Sequence, residues 1–566
     1  MADPYSTTHR RKFLRMIGST TLAAGVVGTK PLTNSLDAVV RAGNREDDHE
    51  RSRHNQRASE SARIRRHAAN EELRATPANL QHPANHDEKR YPQKIGSYSK
   101  GLPHNDDGTV VLSAYKALLR ALETGRQSDF NAIPLGATRK LINPQAGLAF
   151  DMEGHDAHAL LQPPAPSFSS REQAAEISEN YWMALLRDVP FAQYESNPIA
   201  NAAAADLTLY GQAFKGPKSN GNVTPGTLFR GLTPGDLKGP WLSQFFYLPC
   251  PFGANNLEQR ITTVRSLNDG GADYLTDFPT WLAVQRGFAQ PQDRFDPIPR
   301  YMRNGRDIGQ WVHVDVLFQG YFQAFLVLAA LAAPVDRGNP YYSNPTQEGF
   351  GTFGGPHIAT LLCEVSTRAL KAVWFQKWYV HRRLRPEAFS ARLDRRLFHG
   401  ADYPVHDEIL NSLSSSARLG GYMPAGNALL PMAYPEGSPT HPAYGAGHAT
   451  VAGACVTILK AWFKESTKLV DLGVTPLQPS DDGLSLVTYT GADAGELTVG
   501  GELNKIASNV AIGRNLAGVH WRSDATESLK LGEEVAIGIL RDHKYCFNEA
   551  FEGFSLTRFD GSVAKV

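Results

Sequence analysis

The chain has 566 residues, 58 Lys and Arg against 57 Asp and Glu, a net charge of +1, and 42% apolar and 10% aromatic residues. This is enough apolar chain for a large core, as several domains or one large helical body. A balance this close to neutral excludes a general nucleic-acid binder, whose phosphate contacts need a broad cationic excess, so any anion site has to be local.

Residues 1–42 read as an address. Arg10 and Arg11 lie between Thr8 and Leu14, and a short apolar run follows from Met16 to Thr29. That order resembles a twin-arginine export signal and predicts a periplasmic or extracellular protein. Residues 43–100 are rich in Arg, Glu, Asp, His and Asn and poor in large apolar side chains. They are expected as a polar linker, or as an arm wrapping a neighbouring subunit.

Residues 101–300 predict a helical but loop-rich part, with helices over 109–125 and 171–187 and a long loop-rich stretch over 197–301. Residues 301–550 carry better helices, expected over 307–333, 357–380, 446–463 and 524–541. The last would be opened by Ser523 or Asp524 with Glu527 as capping-box partner. Residues 551–566 are a tail. Four helices around one interior predict an all-α fold with a C-terminal four-helix bundle. The apolar run from Ala324 to Ala333 is about half the length needed to cross a bilayer, so no mature membrane span is expected. The four cysteines are scattered without a CxxC pair, which argues against zinc and leaves any disulfide pairing open.

Three polar clusters sit at the ends of these helices. The first runs from Lys377 to Pro386, within a stretch over 371–400 that holds eight Lys and Arg and two Asp and Glu. A charge run is usually a solvated surface. Here Trp374, Phe375, Trp378, Tyr379 and Leu384 interleave the charges, which favours partial burial and an anionic partner. Pro386 disfavours helical geometry at Arg385 and turns that side chain out near the helix end.

The second cluster runs from Ser438 to His448. Gly447 and His448 fall in the first turn of a helix, where unpaired N–H groups and the positive end of the dipole bind anions. Alone, His448 is more often a capped, structural histidine than a catalyst. The third cluster runs from Gly513 to Asp524. Arg514 and His520 would be about 240° apart on one straight helix, so Gly518 is expected to end it and let both side chains face one cavity. Asp524, four residues on, can hold the second ring nitrogen of His520, or simply cap its own helix.

Two Arg, one Lys, two His and a glycine N–H suit a compact tetrahedral oxyanion. Lys377 with Arg385-Pro386, Gly447-His448, and Arg514 followed by His520 and Asp524 resemble the signature of vanadium-dependent haloperoxidases and the related acid phosphatases. The eight-residue step from Lys377 to Arg385 resembles the algal-type bromoperoxidase branch, where phosphatases and fungal chloroperoxidases usually have seven. Segments 94–105 and 301–323 also look like that branch.

The resemblance implies vanadate as cofactor, with His520 as its axial ligand. Lys377, Arg385, Arg514 and the Gly447 N–H would hold its equatorial oxygens, and His448 would be the acid–base group. It implies His441 and Trp374 as residues lining the site, and His441 points to bromide and iodide, with chloride poor. Hydrogen peroxide would be the oxidant, organic nucleophiles the acceptors, and a dimer or larger ring the assembly. The family usually has Ser where this chain has Ala446, and losing one donor to an anion costs about 1.5–3 kcal/mol, which favours iodide, the easiest halide to oxidise. Two rival readings are a phosphatase of the same superfamily with a phosphohistidine at His520, and a catalytically silent secreted anion-binding protein.

Overall fold

The computed structural model describes residues 46–290 and 293–566, with side chains from residue 52 onward; the segment read as an export signal lies outside these residues. The chain divides into a unit ending at Arg66 and a unit from His67 to Val566. Of the first, residues 46–66 are helical, as part of helix α1, Glu46–Ala75. The expected linker over 43–100 is therefore corrected at both ends. Ala, Glu and Arg are strong helix formers even where they cannot build a core. Further on, Asp87, Ile95, Ser97, Tyr98, Ser99 and Lys100 are buried in the second unit.

The loop-rich first half contains α2 (Leu112–Thr124), α3 (Arg171–Leu185), α4 (Pro198–Leu209) and α5 (Phe278–Gln285). The last two lie in the stretch expected to be loop. Helix α3 is the exceptional one: residues 173–184 are all buried, including Gln173, Glu176, Ser178, Glu179 and Asn180. Buried polar side chains need partners, and these find them around the site.

The expected helix over 307–333 is two helices, α6 (Gly305–Val314) and α7 (Gln319–Ala330), bent by 99°. Asp315 sits in the break, where a carboxylate competes with the helical hydrogen bonds. Among the described residues no single helix is long and apolar enough to cross a membrane. Helix α8 (Gly355–Phe375) buries Ile358, Leu361, Leu362, Val365, Ala369, Ala372 and Val373. The expected continuation to 380 changes instead to a wider π-type turn over Gln376–His381, which Arg382 ends with φ of 39°. Such turns re-aim side chains, and this one carries Lys377. Helix α9 (Pro386–Phe398) follows directly.

The bundle is built from α8, α10 (Gly447–Trp462), α11 (Val499–Leu516) and α12 (Arg522–Lys544), with α10 against the other three. Every residue of α10 except His448 is buried. Its small residues allow this: a Cβ added to Gly453 would lie 2.1 Å from the Leu529 carbonyl oxygen, and one added to Gly532 would lie 2.0 Å from that of Thr450. Helix α12 begins at Arg522, before the expected start. Asp524 takes the Trp521 N–H at 3.1 Å, and Glu527 pairs with Lys530 at 3.0 Å rather than closing a capping box. The expected tail folds as a hairpin, Ser555–Thr557 with Val563–Lys565, anchored by buried Phe554, Leu556 and Phe559. Cys250, Cys363 and Cys455 are free thiols.

Candidate active site

The three clusters meet at the ends of the bundle helices. The π-type turn delivers Lys377, which is fully buried and donates to the Pro442 and Ala443 carbonyls at 2.8 and 3.1 Å. Arg385, in extended geometry before Pro386 as expected, caps α9. Its Nε and Nη2 donate to the His441 carbonyl at 3.0 and 2.8 Å, and its Nη1 to that of Val519 at 2.7 Å. Nη1 also lies 3.0 Å from His520 Nε2, and Nη2 lies 3.0 Å from His441 Nδ1.

Helix α11 ends at Leu516, and Gly518 adopts φ of 84°. This reversal is what swings Arg514 and His520 toward the same place, as their spacing requires. His520 is buried, and its Nδ1–H donates to Asp524 Oδ2 at 2.8 Å. Asp524 thus does both of the jobs open to it, holding the ring and capping the helix. The ring then presents Nε2, in its unprotonated form, to the guanidinium of Arg385.

Gly447 opens α10, so its N–H is one of the four without an intrahelical partner. Ala446 is the N-cap and gives no side-chain cap; its own N–H donates to Ser528 Oγ at 2.8 Å. His448 Nε2 lies 3.0 Å from Asp315 Oδ1. Trp374 lines the same region: a Cβ on Gly447 would meet its ring at 3.2 Å, the Lys377 ammonium is 5.6 Å from its ring centre, and the His441 ring is 4.8 Å away.

The electrostatics follow from burying like charges together. Burial, then the neighbouring Arg385 and Arg514, hold Lys377 well below the usual ammonium range. Burial, with Arg514 adding to it, lowers Arg385 to about 10. His520 and His441 are driven well below the ordinary imidazole range by burial and then by the surrounding cations, so both are neutral at pH 7. For His448, burial, with Arg514 and Lys377 adding to it, lowers the ring below its ordinary value against the opposing pull of Asp315. The two carboxylates present, Asp315 and Asp524, are each bound to an imidazole.

The residues fit a bound oxyanion. Arg514 donates Nη1 to the Val312 carbonyl at 2.7 Å and to Tyr434 Oη at 3.3 Å, yet its buried Nε has no partner. A buried guanidinium N–H without an acceptor costs about 1–3 kcal/mol, and an anion among these cations would remove that cost.

All ten residues singled out from the sequence, Trp374, Lys377, Arg385, His441, Ala446, Gly447, His448, Arg514, His520 and Asp524, lie in or beside this region. The sequence reading missed Asp315, Tyr434 and Arg383, the last donating to Asp524 Oδ1 at 2.8 Å. For Asp315 a signal existed: one carboxylate interrupting an otherwise apolar run from Val314 to Phe318.

Residues 366–549 match the family described as the VCPO second helical-bundle domain. A vanadium-dependent bromoperoxidase of Corallina pilulifera is 36% identical over 84% of this chain and 91% of its own length. One of Ascophyllum nodosum is 34% identical over 83% and 86%. A second vanadate-dependent bromoperoxidase of Ascophyllum nodosum, solved as a homohexamer, superposes with a TM-score of 0.82 at 30% identity, covering 97% of this chain and 95% of the other. At this identity over most of its length and with this fold, the chain belongs to the vanadium-dependent bromoperoxidase family.

Proposed function

We propose that the chain is a vanadate-dependent peroxidase that oxidises bromide and iodide with hydrogen peroxide, H2O2 + Br− + H+ giving HOBr + H2O, and that the product halogenates organic nucleophiles. The observation that carries the reading is the unpartnered, buried Nε of Arg514, on a guanidinium close enough to Lys377 and Arg385 for its charge to act on both.

In this reading His520 offers Nε2 to the metal, because Nδ1 is committed to Asp524. Lys377, Arg385, Arg514 and the Gly447 N–H hold the oxyanion's oxygens. Bound vanadate supplies Lewis-acid activation of peroxide at constant V(V). His448 keeps Nε2 on Asp315 and exchanges protons at Nδ1, with burial holding its pKa below the ordinary imidazole value and Asp315 opposing that shift. Trp374 and His441 form the apolar and neutral wall at which halide approaches. With Ala446 offering no hydroxyl, iodide is the better substrate, and with His441 at the wall chloride is a poor one. The likeness to a homohexameric relative supports assembly of this chain into a ring, and the Arg10-Arg11 start supports export.

The test is halogenation of a phenolic dye by apo protein, orthovanadate-loaded protein and phosphate-blocked protein. Turnover only in the vanadate-loaded sample is expected. Hydrolysis of a phosphate monoester without halogenation would establish the phosphatase reading instead, and neither activity would leave an anion-binding protein.

A further inference from the structure

The imidazole of His520 stands at the end of a line of charged groups that leaves the C-terminal bundle. Asp524, fully buried, gives Oδ2 to His520 Nδ1 and Oδ1 to Arg383 Nη1, each at 2.8 Å. Arg383 is itself only 3% exposed. Its guanidinium lies 4.9 Å from the ring centre of Trp521 and 5.9 Å from that of Tyr444. Its second arm, Nη2, donates to Glu176 Oε2 at 2.6 Å and to Gln173 Oε1 at 2.8 Å, both on α3. The other Glu176 oxygen accepts the Ser523 N–H at 2.6 Å, so the carboxylate ties Arg383 to the first turn of α12. One helical turn further along α3, Asn180 Nδ2 donates to the His520 carbonyl at 3.1 Å.

We propose that Arg383 and Glu176 are positioning residues for the metal-binding imidazole, acting through Asp524. The inference rests on the function proposed above. Oδ2 of Asp524 is shared between the Trp521 N–H and His520 Nδ1, and Arg383 pins Oδ1, so the carboxylate is fixed at both oxygens with Oδ2 aimed at Nδ1. Arg383 in turn lies beside two aromatic rings and is oriented by Glu176, using the two-armed geometry that lysine lacks. Outer partners of this kind typically account for 10–100-fold in metal affinity. The bundle is thus an incomplete site on its own: α3, some 200 residues earlier in the chain, completes it.

The experiment is calorimetric titration of orthovanadate into the apo full-length chain and into R383Q, R383K, E176Q, D524N and the R383Q/D524N double variant, at one pH. R383Q is expected to weaken binding 10–100-fold, R383K to restore part of that loss, and E176Q to lose about 3–10-fold. The double variant is expected to bind no more weakly than D524N alone, because the guanidinium acts only through that carboxylate. Wild-type affinity in R383Q, or fully additive losses in the double variant, would overturn the proposal. Should R383Q not fold, E176Q leaves the guanidinium in place, and unchanged affinity there overturns it equally. A wild-type chain that takes up no vanadate defeats the proposed function itself, and the relay with it; uptake insensitive to these substitutions defeats only the relay.

Discussion

Asp315, in the break between α6 and α7, accepts a hydrogen bond from Nε2 of His448, with Oδ1 at 3.0 Å. The bend that interrupts an apolar helix therefore has a chemical use, since a continuous helix would not leave this carboxylate at its end. The pair orients the one histidine of the site that is not committed to Asp524 or Arg385. D315N should lower bromination turnover by about 10–100-fold while vanadate uptake is largely kept. Asp315 raises the His448 pKa against burial, so its loss lets that pKa fall and moves the rate profile toward acid. A turnover profile at the wild-type pH would show that Asp315 does not tune the ring.

Ala446 caps α10 without a side-chain hydrogen bond. A446S adds a hydroxyl beside Gly447, where the resemblance places an oxygen of the cofactor. One regained donor to an anion is worth about 1.5–3 kcal/mol, a roughly 10- to 100-fold gain in vanadate affinity by equilibrium dialysis. Apo A446S should also melt higher, because Ser is a better N-cap than Ala by about 1 kcal/mol. A higher melting temperature with unchanged affinity would mean the new hydroxyl serves the helix alone.

The cage was legible because its chemistry is concentrated in residue types that cannot be buried cheaply. Lys377, Arg385 and Arg514 among aromatics demand an anion wherever the chain places them, and Gly518 announced the reversal that brings His520 round. What escaped was set by tertiary contact. Glu176 and Gln173 look like ordinary polar positions of α3, and only the fold reveals that they face Arg383. Asp315 was read as an internal helix residue because periodicity on both sides of it is helical. The charged segment from Glu46 to Ala75 has no apolar stripe, so the pattern that identifies core helices was silent there.

The contact between α10 and α12 leaves no space for a methyl group, and both obstructing atoms are backbone carbonyl oxygens. G532A should therefore destabilise the apo chain by about 1–3 kcal/mol or more through separation of the two helices. Gly495 has nothing within 4 Å of an added Cβ, so G495A is the matched control and should change stability by less than about 0.5 kcal/mol. Denaturant unfolding of the two variants compares them directly. Equal stabilities would show that the helices separate at no cost.

His104 sets part of the acid limit of the fold. It is buried, its Nδ1–H donates to the Leu102 carbonyl at 2.8 Å, and its Nε2 accepts from Ser99 Oγ at 3.0 Å. The bond accepted at Nε2 requires the neutral ring, and burial outweighs the Leu102 carbonyl, which favours the charged ring, to push its pKa from 6.5 down to about 4. Between those values the unfolded chain binds a proton that the folded chain refuses, so the contribution is intact above pH 6.5 and is lost progressively as pH falls toward 4. At pH 4.5 the loss is on the order of 2 kcal/mol. H104Q keeps an amide donor and acceptor but does not titrate. It should unfold more readily than wild type at pH 7 yet lose less stability on acidification, by about that amount. Identical acid sensitivity in the two proteins would remove His104 from the account and shift the burden to the other buried imidazoles.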